Sequence, residues 1–74
     1  MTRTRAIELV KKDLMKCDSS ILSKISDFDA VYTAQKEWEV TCKYKESFET
    51  PSGQVLDSVT YIVRNDETVL AIPV

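Results

Sequence analysis

From Trp38 to Lys45 the chain alternates without interruption: Trp38, Val40, Cys42 and Tyr44 carry bulk that belongs out of water, and Glu39, Thr41, Lys43 and Lys45 between them are polar or charged. A side-chain period of two belongs to an extended strand, and an uninterrupted run of it predicts a sheet with one buried and one wet face. Sheets of that kind are typically antiparallel. Something else in the same short chain must then cover the buried face.

The covering element is expected at the amino end. Ala6, Ile7, Val10, Leu14 and Cys17 recur at helical spacing over residues 4–17, and the stripe continues to Ile21. Arg5, Glu8, Lys12, Asp13 and Lys16 lie largely off it. Thr2 or Thr4 can cap the amino end, and Lys11, Lys12 and Lys16 suit the negative carboxyl end of the helix dipole. Asp18-Ser19-Ser20 ends the helix and can cap a second short turn through Ile21, Leu22 and Ile25.

Three more strands follow from the same reasoning. Phe28, Ala30 and Tyr32 alternate with Asp29, Val31 and Thr33, and Ala34-Gln35-Lys36 can turn the chain into the Trp38 strand. Thr50-Pro51-Ser52-Gly53 is a second turn. Val55 to Arg64 then puts Val55, Val59, Tyr61 and Val63 on one side, with Leu56 and Ile62 on the other. Asn65-Asp66 reads as a two-residue hairpin turn, since both residues tolerate positive φ, and Thr68–Ile72 forms the last strand. With that turn, Tyr61 faces Leu70 and Val59 faces Ile72. If Phe48 faces Val55, then Tyr44 faces Val59, Cys42 faces Tyr61 and Val40 faces Val63. A slip of one residue would move a whole row to the other face, so the agreement of these pairings constrains the register. The expectation is one α+β domain over residues 1–74, an N-terminal helix packed on one face of a four-stranded antiparallel meander in the order α-β-β-β-β. Val10 and Leu14 should shelter Val40, Val59 and Tyr61.

Composition bounds what such a domain can do. A chain of 74 residues buries only about 60–65% of the surface its unfolded form exposes, but a 43% hydrophobic content and a net charge of −2 suffice for a folded core. No apolar run approaches a membrane span. Met1-Thr2-Arg3-Thr4-Arg5 resembles the basic start of a signal peptide, yet Glu8, Lys11, Lys12 and Asp13 interrupt any apolar stretch behind it. A cytoplasmic setting is the expectation. Histidine is absent, which removes the commonest metal ligand, the usual general base near neutral pH, and every Ser-His or Cys-His pair. Two cysteines cannot close a four-ligand zinc site. With Gly53 as the one glycine, no glycine-rich phosphate loop can be written. No catalytic, cofactor-binding or metal-ligating residue is therefore assigned.

Each remaining cluster has a plain structural reading beside its functional one. Cys17 and Cys42 fall on facing apolar surfaces; a bond between them would close a loop of about 25 residues, worth roughly 3 kcal/mol in the chain-entropy model. Buried free thiols explain the same placement and are preferred for a cytoplasmic chain. Trp38, Tyr44 and Tyr61 could form a base-stacking platform, but the helix must bury its stripe on that face. Arg3, Arg5, Lys12 and Lys16 could make a small basic patch for nucleic acid, although 12 acids outnumber 10 bases. Glu46 and Asp57 can oppose each other across the second hairpin as an acid pair, but no pocket is evident for them. Val31, Leu56, Ile62, Val69 and Ala71 are left on the face away from the helix. The last strand is also an edge, partly blunted by Pro73, and open edges recruit partners by strand addition. The expected function is thus a non-enzymatic interaction or accessory module, self-associating or binding a protein through the outer sheet face and last strand. Leu56, Ile62, Val69 and Ala71 are the candidate contacts, and nucleic-acid binding by the basic arm is the alternative.

The helix around Ala6-Ile7, the strand opening Trp38-Glu39-Val40-Thr41, the loop at Pro51 and Tyr61-Ile62-Val63 together resemble the PepSY-type domain. That resemblance implies a helix on an antiparallel sheet, and commonly an inhibitory or regulatory module outside the cytoplasm. The same strand start, and the proline loop followed by Val55-Leu56, are similar to the core of gas-vesicle protein O, which implies a cytoplasmic accessory role. Asn65-Asp66-Glu67 departs from the glycine common in the last PepSY hairpin, and the aromatic, basic segment of the gas-vesicle family does not follow the last strand here. Neither family supplies catalytic residues to carry over.

Overall fold

The computed structural model describes residues 1–72, the side chain of Phe48 apart. Helix α1 (Arg3–Cys17) is followed by a 3-10 turn (Ile21–Lys24) and strands β1 (Ile25–Tyr32), β2 (Trp38–Glu49), β3 (Val55–Val63) and β4 (Val69–Ala71). The strands pair antiparallel in chain order, β1-β2-β3-β4. The α+β meander expected from the periodicities is the fold found.

Local chemistry sets the ends of α1. Thr2 is extended, and its Oγ1 accepts the Arg5 N–H at 3.1 Å, satisfying a donor that has no partner within the helix. The helix stops at Asp18, which is extended and donates its N–H to Leu14 at 3.2 Å. Its carboxylate then accepts the Ser20 N–H (3.0 Å) and the Ser20 hydroxyl (2.7 Å), an Asx turn that seeds the 3-10 turn. Ala6, Val10 and Leu14, four residues apart, are the buried stripe of α1, and they meet Ile25, Val40, Cys42, Tyr61 and Val63 in one core. Val59 is half-buried against the same core, so the helix shelters the expected side of the sheet. Cys17 is a correction: it is exposed, and Ile21 and Leu22 of the 3-10 turn pack on the core beside it.

All three hairpin loops use one geometry. In each, a carbonyl accepts an N–H three residues on: Thr33 from Lys36 (3.0 Å), Thr50 from Gly53 (2.9 Å), Arg64 from Glu67 (2.9 Å). The same first residue donates its own N–H to the carbonyl of Glu37, Gln54 or Thr68 respectively. The residue that closes each turn has positive φ: Lys36 at 62°, Gly53 at 87°, Glu67 at 69°. This is the three-residue loop of a type I turn followed by a left-handed residue.

Two registers differ from expectation, for separate reasons. In the body of the sheet Val40 faces Tyr61, Cys42 faces Val59 and Trp38 faces Val63, two residues from the expected pairing. A shift of two keeps the same face inward. Phe48 pairs with Leu56 rather than the expected Val55, one residue off. Between that pair and Lys43–Ser58, β2 advances five residues while β3 advances two, so the three-residue excess less that one leaves the shift of two. In the last hairpin, Asn65-Asp66-Glu67 replaces the expected two-residue turn, fixed by Thr68 N–H donation to the Asp66 carboxylate at 3.0 Å. That one extra residue turns β4 over: Tyr61 pairs with Ala71, Ile62 with Leu70 and Val63 with Val69. Val69 therefore packs against the core, and Ala71 takes the helix side beside Tyr61. Both were expected on the outer face. Pro73, expected to blunt the edge, lies outside the described residues.

Candidate interaction surface

The pairing assembles the outer face row by row. One row runs Val31, Glu39, Ile62, Leu70, each directly opposite the next. The next runs Asp29, Thr41, Thr60, and reaches β4 where the Ile72 N–H donates to the Thr60 carbonyl at 2.9 Å. A third runs Asp27, Lys43, Ser58. Leu56 shares this side of β3 by alternation and is half-buried. The face is thus acidic along β1, mixed along β2 and hydroxylic in the middle of β3. It is apolar where Ile62 meets Leu70 and Ile72.

Leu70 and Ile72 are each 40% exposed, and Val31 is 57% exposed. Fully burying a residue of this kind is worth about 1.5–3 kcal/mol, so the incompletely covered pair beside Ile62 holds unspent burial. Among the described residues no strand pairs with β4 on its far side. Its edge therefore presents free backbone donors and acceptors next to the apolar residues.

Of the four contacts expected from sequence, Leu56 and Ile62 lie on this face, while Val69 and Ala71 do not. Leu70 and Ile72 occupy their places. The signal for them was Asp66-Glu67-Thr68, where an Asp two residues before a Thr can hold its N–H and lengthen the turn.

The other expected clusters disperse. Arg5 is drawn from the basic patch into an ion pair with Glu67 (Nε to Oε2, 2.8 Å) and a longer one with Glu8 (3.5 Å). Arg3, Lys12 and Lys16 remain exposed on α1. Asp57 lies opposite the irregular stretch of β2 that contains Glu46. Among the described residues no three His, Cys, Asp or Glu side chains gather as a metal ion requires. Both thiols are free; Cys42 is buried, and that burial pushes its thiol up to about 11. Trp38 and Tyr44, imagined as a platform, line the covered face instead and pack on the core. No helix is long and apolar enough to cross a membrane among the described residues.

Comparison with known proteins leaves the surface to speak for itself. No family model, curated protein or solved structure matches this chain.

Proposed function

We propose that this domain is a non-enzymatic interaction module that associates with a second copy of itself, or with a protein partner, through the outer sheet face and β4. The observation that carries the reading is the Ile62–Leu70 pair beside Ile72 on an open edge strand. Backbone pairing along such an edge supplies affinity and the neighbouring apolar side chains supply selectivity. The helix-on-meander architecture is the one that likeness to PepSY-type domains implies, and an accessory or regulatory role fits a small domain with these features. Two free thiols fit a reducing, cytoplasmic setting.

The diversion of Arg5 to Glu67 and the net charge of −2 weigh against the nucleic-acid alternative, because phosphate neutralisation needs an excess of cations. The test is light scattering on the eluting protein, with Ile62→Lys and Leu70→Lys beside the native chain. Association that disappears in both variants, with the circular dichroism unchanged, supports the proposal. Association that persists in both removes it.

A further inference from the structure

The three-residue excess in β2 lies where the sheet opens beside the 3-10 turn. β1 begins at Ile25, opposite Tyr44, so among the described residues the part of β2 from Lys45 to Glu49 has no strand beside it on that side. On the other side β3 rejoins only at Phe48–Leu56. Lys45, Glu46 and Ser47 are matched to neither neighbour. Bulges that interrupt pairing within a strand recur next to functional sites. Here the interruption borders a cleft of about 650 Å³, walled by Ile21, Ser23 and Lys24 of the 3-10 turn and by Tyr44, Glu46 and Ser47 of β2.

The lining narrows the class of occupant. Its charges balance, with Lys24 and Lys45 against Asp18 and Glu46. Lys24 is already engaged, its Nζ 3.4 Å from the Asp18 carboxylate, which also accepts both donors of Ser20. A phosphate or other polyanion finds no net attraction there. What the cleft offers is strand backbone with no ladder partner on one wall and apolar surface from Ile21 and Tyr44. An extended peptide uses both at once, its main chain pairing along β2 while alternate side chains turn towards the apolar wall.

We infer that this cleft is a second, separate docking site, one that takes an extended segment of a partner protein as an added strand beside Lys45–Glu49. The segment needs alternating aliphatic side chains and carries no charge requirement. The site shares no residue with the Ile62–Leu70 surface, so either can fail without the other.

The test is an NMR titration of the full ¹⁵N-labelled chain with the neutral peptide acetyl-Thr-Val-Thr-Val-Thr-amide. The controls are a version with both valine nitrogens methylated and a version with serine for valine. Saturable shifts at Ser23, Lys24 and Lys45 to Ser47, with a dissociation constant below ~1 mM, are expected for the first peptide. At least tenfold weaker binding is expected for each control. Ser23→Trp and Ser47→Trp, which fill the cleft from opposite walls, should each weaken binding at least tenfold, and Leu70→Lys should leave it unchanged. Equal binding of the methylated peptide would overturn strand addition. Absence of shifts at this segment, or shifts confined to β4, would overturn the site.

Discussion

Ile62 lies directly opposite Leu70 across the last hairpin, on the face of the sheet away from α1. The pairing depends on one backbone detail, Glu67 in the left-handed region at φ 69°, which adds a residue to the turn and reverses the two sides of β4. Were the turn two residues long, Leu70 would be a core residue and Val69 a surface one. The position of the apolar surface is therefore decided in a loop some distance from it.

That reversal can be read out by lysine substitution. Val69→Lys should destabilise the fold, by about 1–3 kcal/mol in urea denaturation, because a half-buried core contact gains a charge. Leu70→Lys should change stability by less than about 0.5 kcal/mol, as surface substitutions do. Equal effects of the two would mean that the sides of β4 are assigned wrongly.

Most of the architecture was legible because burial writes its period into the chain. Ala6, Val10 and Leu14 revealed the helix, and Trp38 to Lys45 revealed a strand with one wet face. The inward set survived even a register error in β2–β3, since a shift of two residues preserves the face. Two features were missed. Glu67 adopts positive φ without being glycine, so the third residue of the last loop was marked only by the spacing of Asp66 and Thr68, whereas Ala34-Gln35-Lys36 was read at its observed length. The excess at Tyr44–Ser47 leaves no trace in the alternation, because it is set by where β3 resumes pairing. The candidate surface inherited the first of these, which is why Val69 and Ala71 stood in for Leu70 and Ile72.

The loops themselves offer a paired test. At Gly53, φ 87°, an added Cβ would meet nothing nearer than a Glu49 carboxylate oxygen at 3.9 Å, so any cost of Gly53→Ala is backbone strain. It should destabilise by about 1 kcal/mol. Lys36→Gly should stabilise by about 0.5–1 kcal/mol, since Lys36 is exposed and its carbonyl can still accept the Asn65 amide. Urea denaturation at constant m-value checks both.

Core packing gives a third. Val10 of α1 and Val40 of β2 are both fully buried in the shared core. Each valine-to-alanine change should cost about 2 kcal/mol from lost transfer energy and the cavity left behind. A cost below about 0.5 kcal/mol at either site would mean that the helix does not seal the sheet.

The thiols should respond very differently to pH and reagent. At neutral pH a thiol-specific reagent should modify Cys17 alone, with Cys42 reacting only on unfolding. Burial raises the folded Cys42 thiol from 9.0 to about 11, so the unfolded chain loses this proton first. Its contribution to stability is complete below pH 9 and declines as pH rises towards 11. Cys42→Ala should flatten the decline, and rapid labelling of both thiols in the native protein would contradict the burial.

Glu67 should show the opposite sign. Arg5 holds its carboxylate below the ordinary value of 4.5, first by the hydrogen bond and then by charge. The pair's contribution is present above that value and is lost as pH falls through the lower, folded one. In an NMR titration Arg5→Ala should return Glu67 to the ordinary range; an unchanged midpoint would separate the two residues in solution.

Sedimentation equilibrium of the native chain, Ile62→Lys and Leu70→Lys over a hundredfold range of concentration tests the outer surface most directly. The native chain should pass from monomer to a defined oligomer, while both variants stay folded and monomeric throughout. A native chain monomeric at every concentration would contradict self-association. An oligomer that both lysine variants form equally well would contradict the assignment of this face.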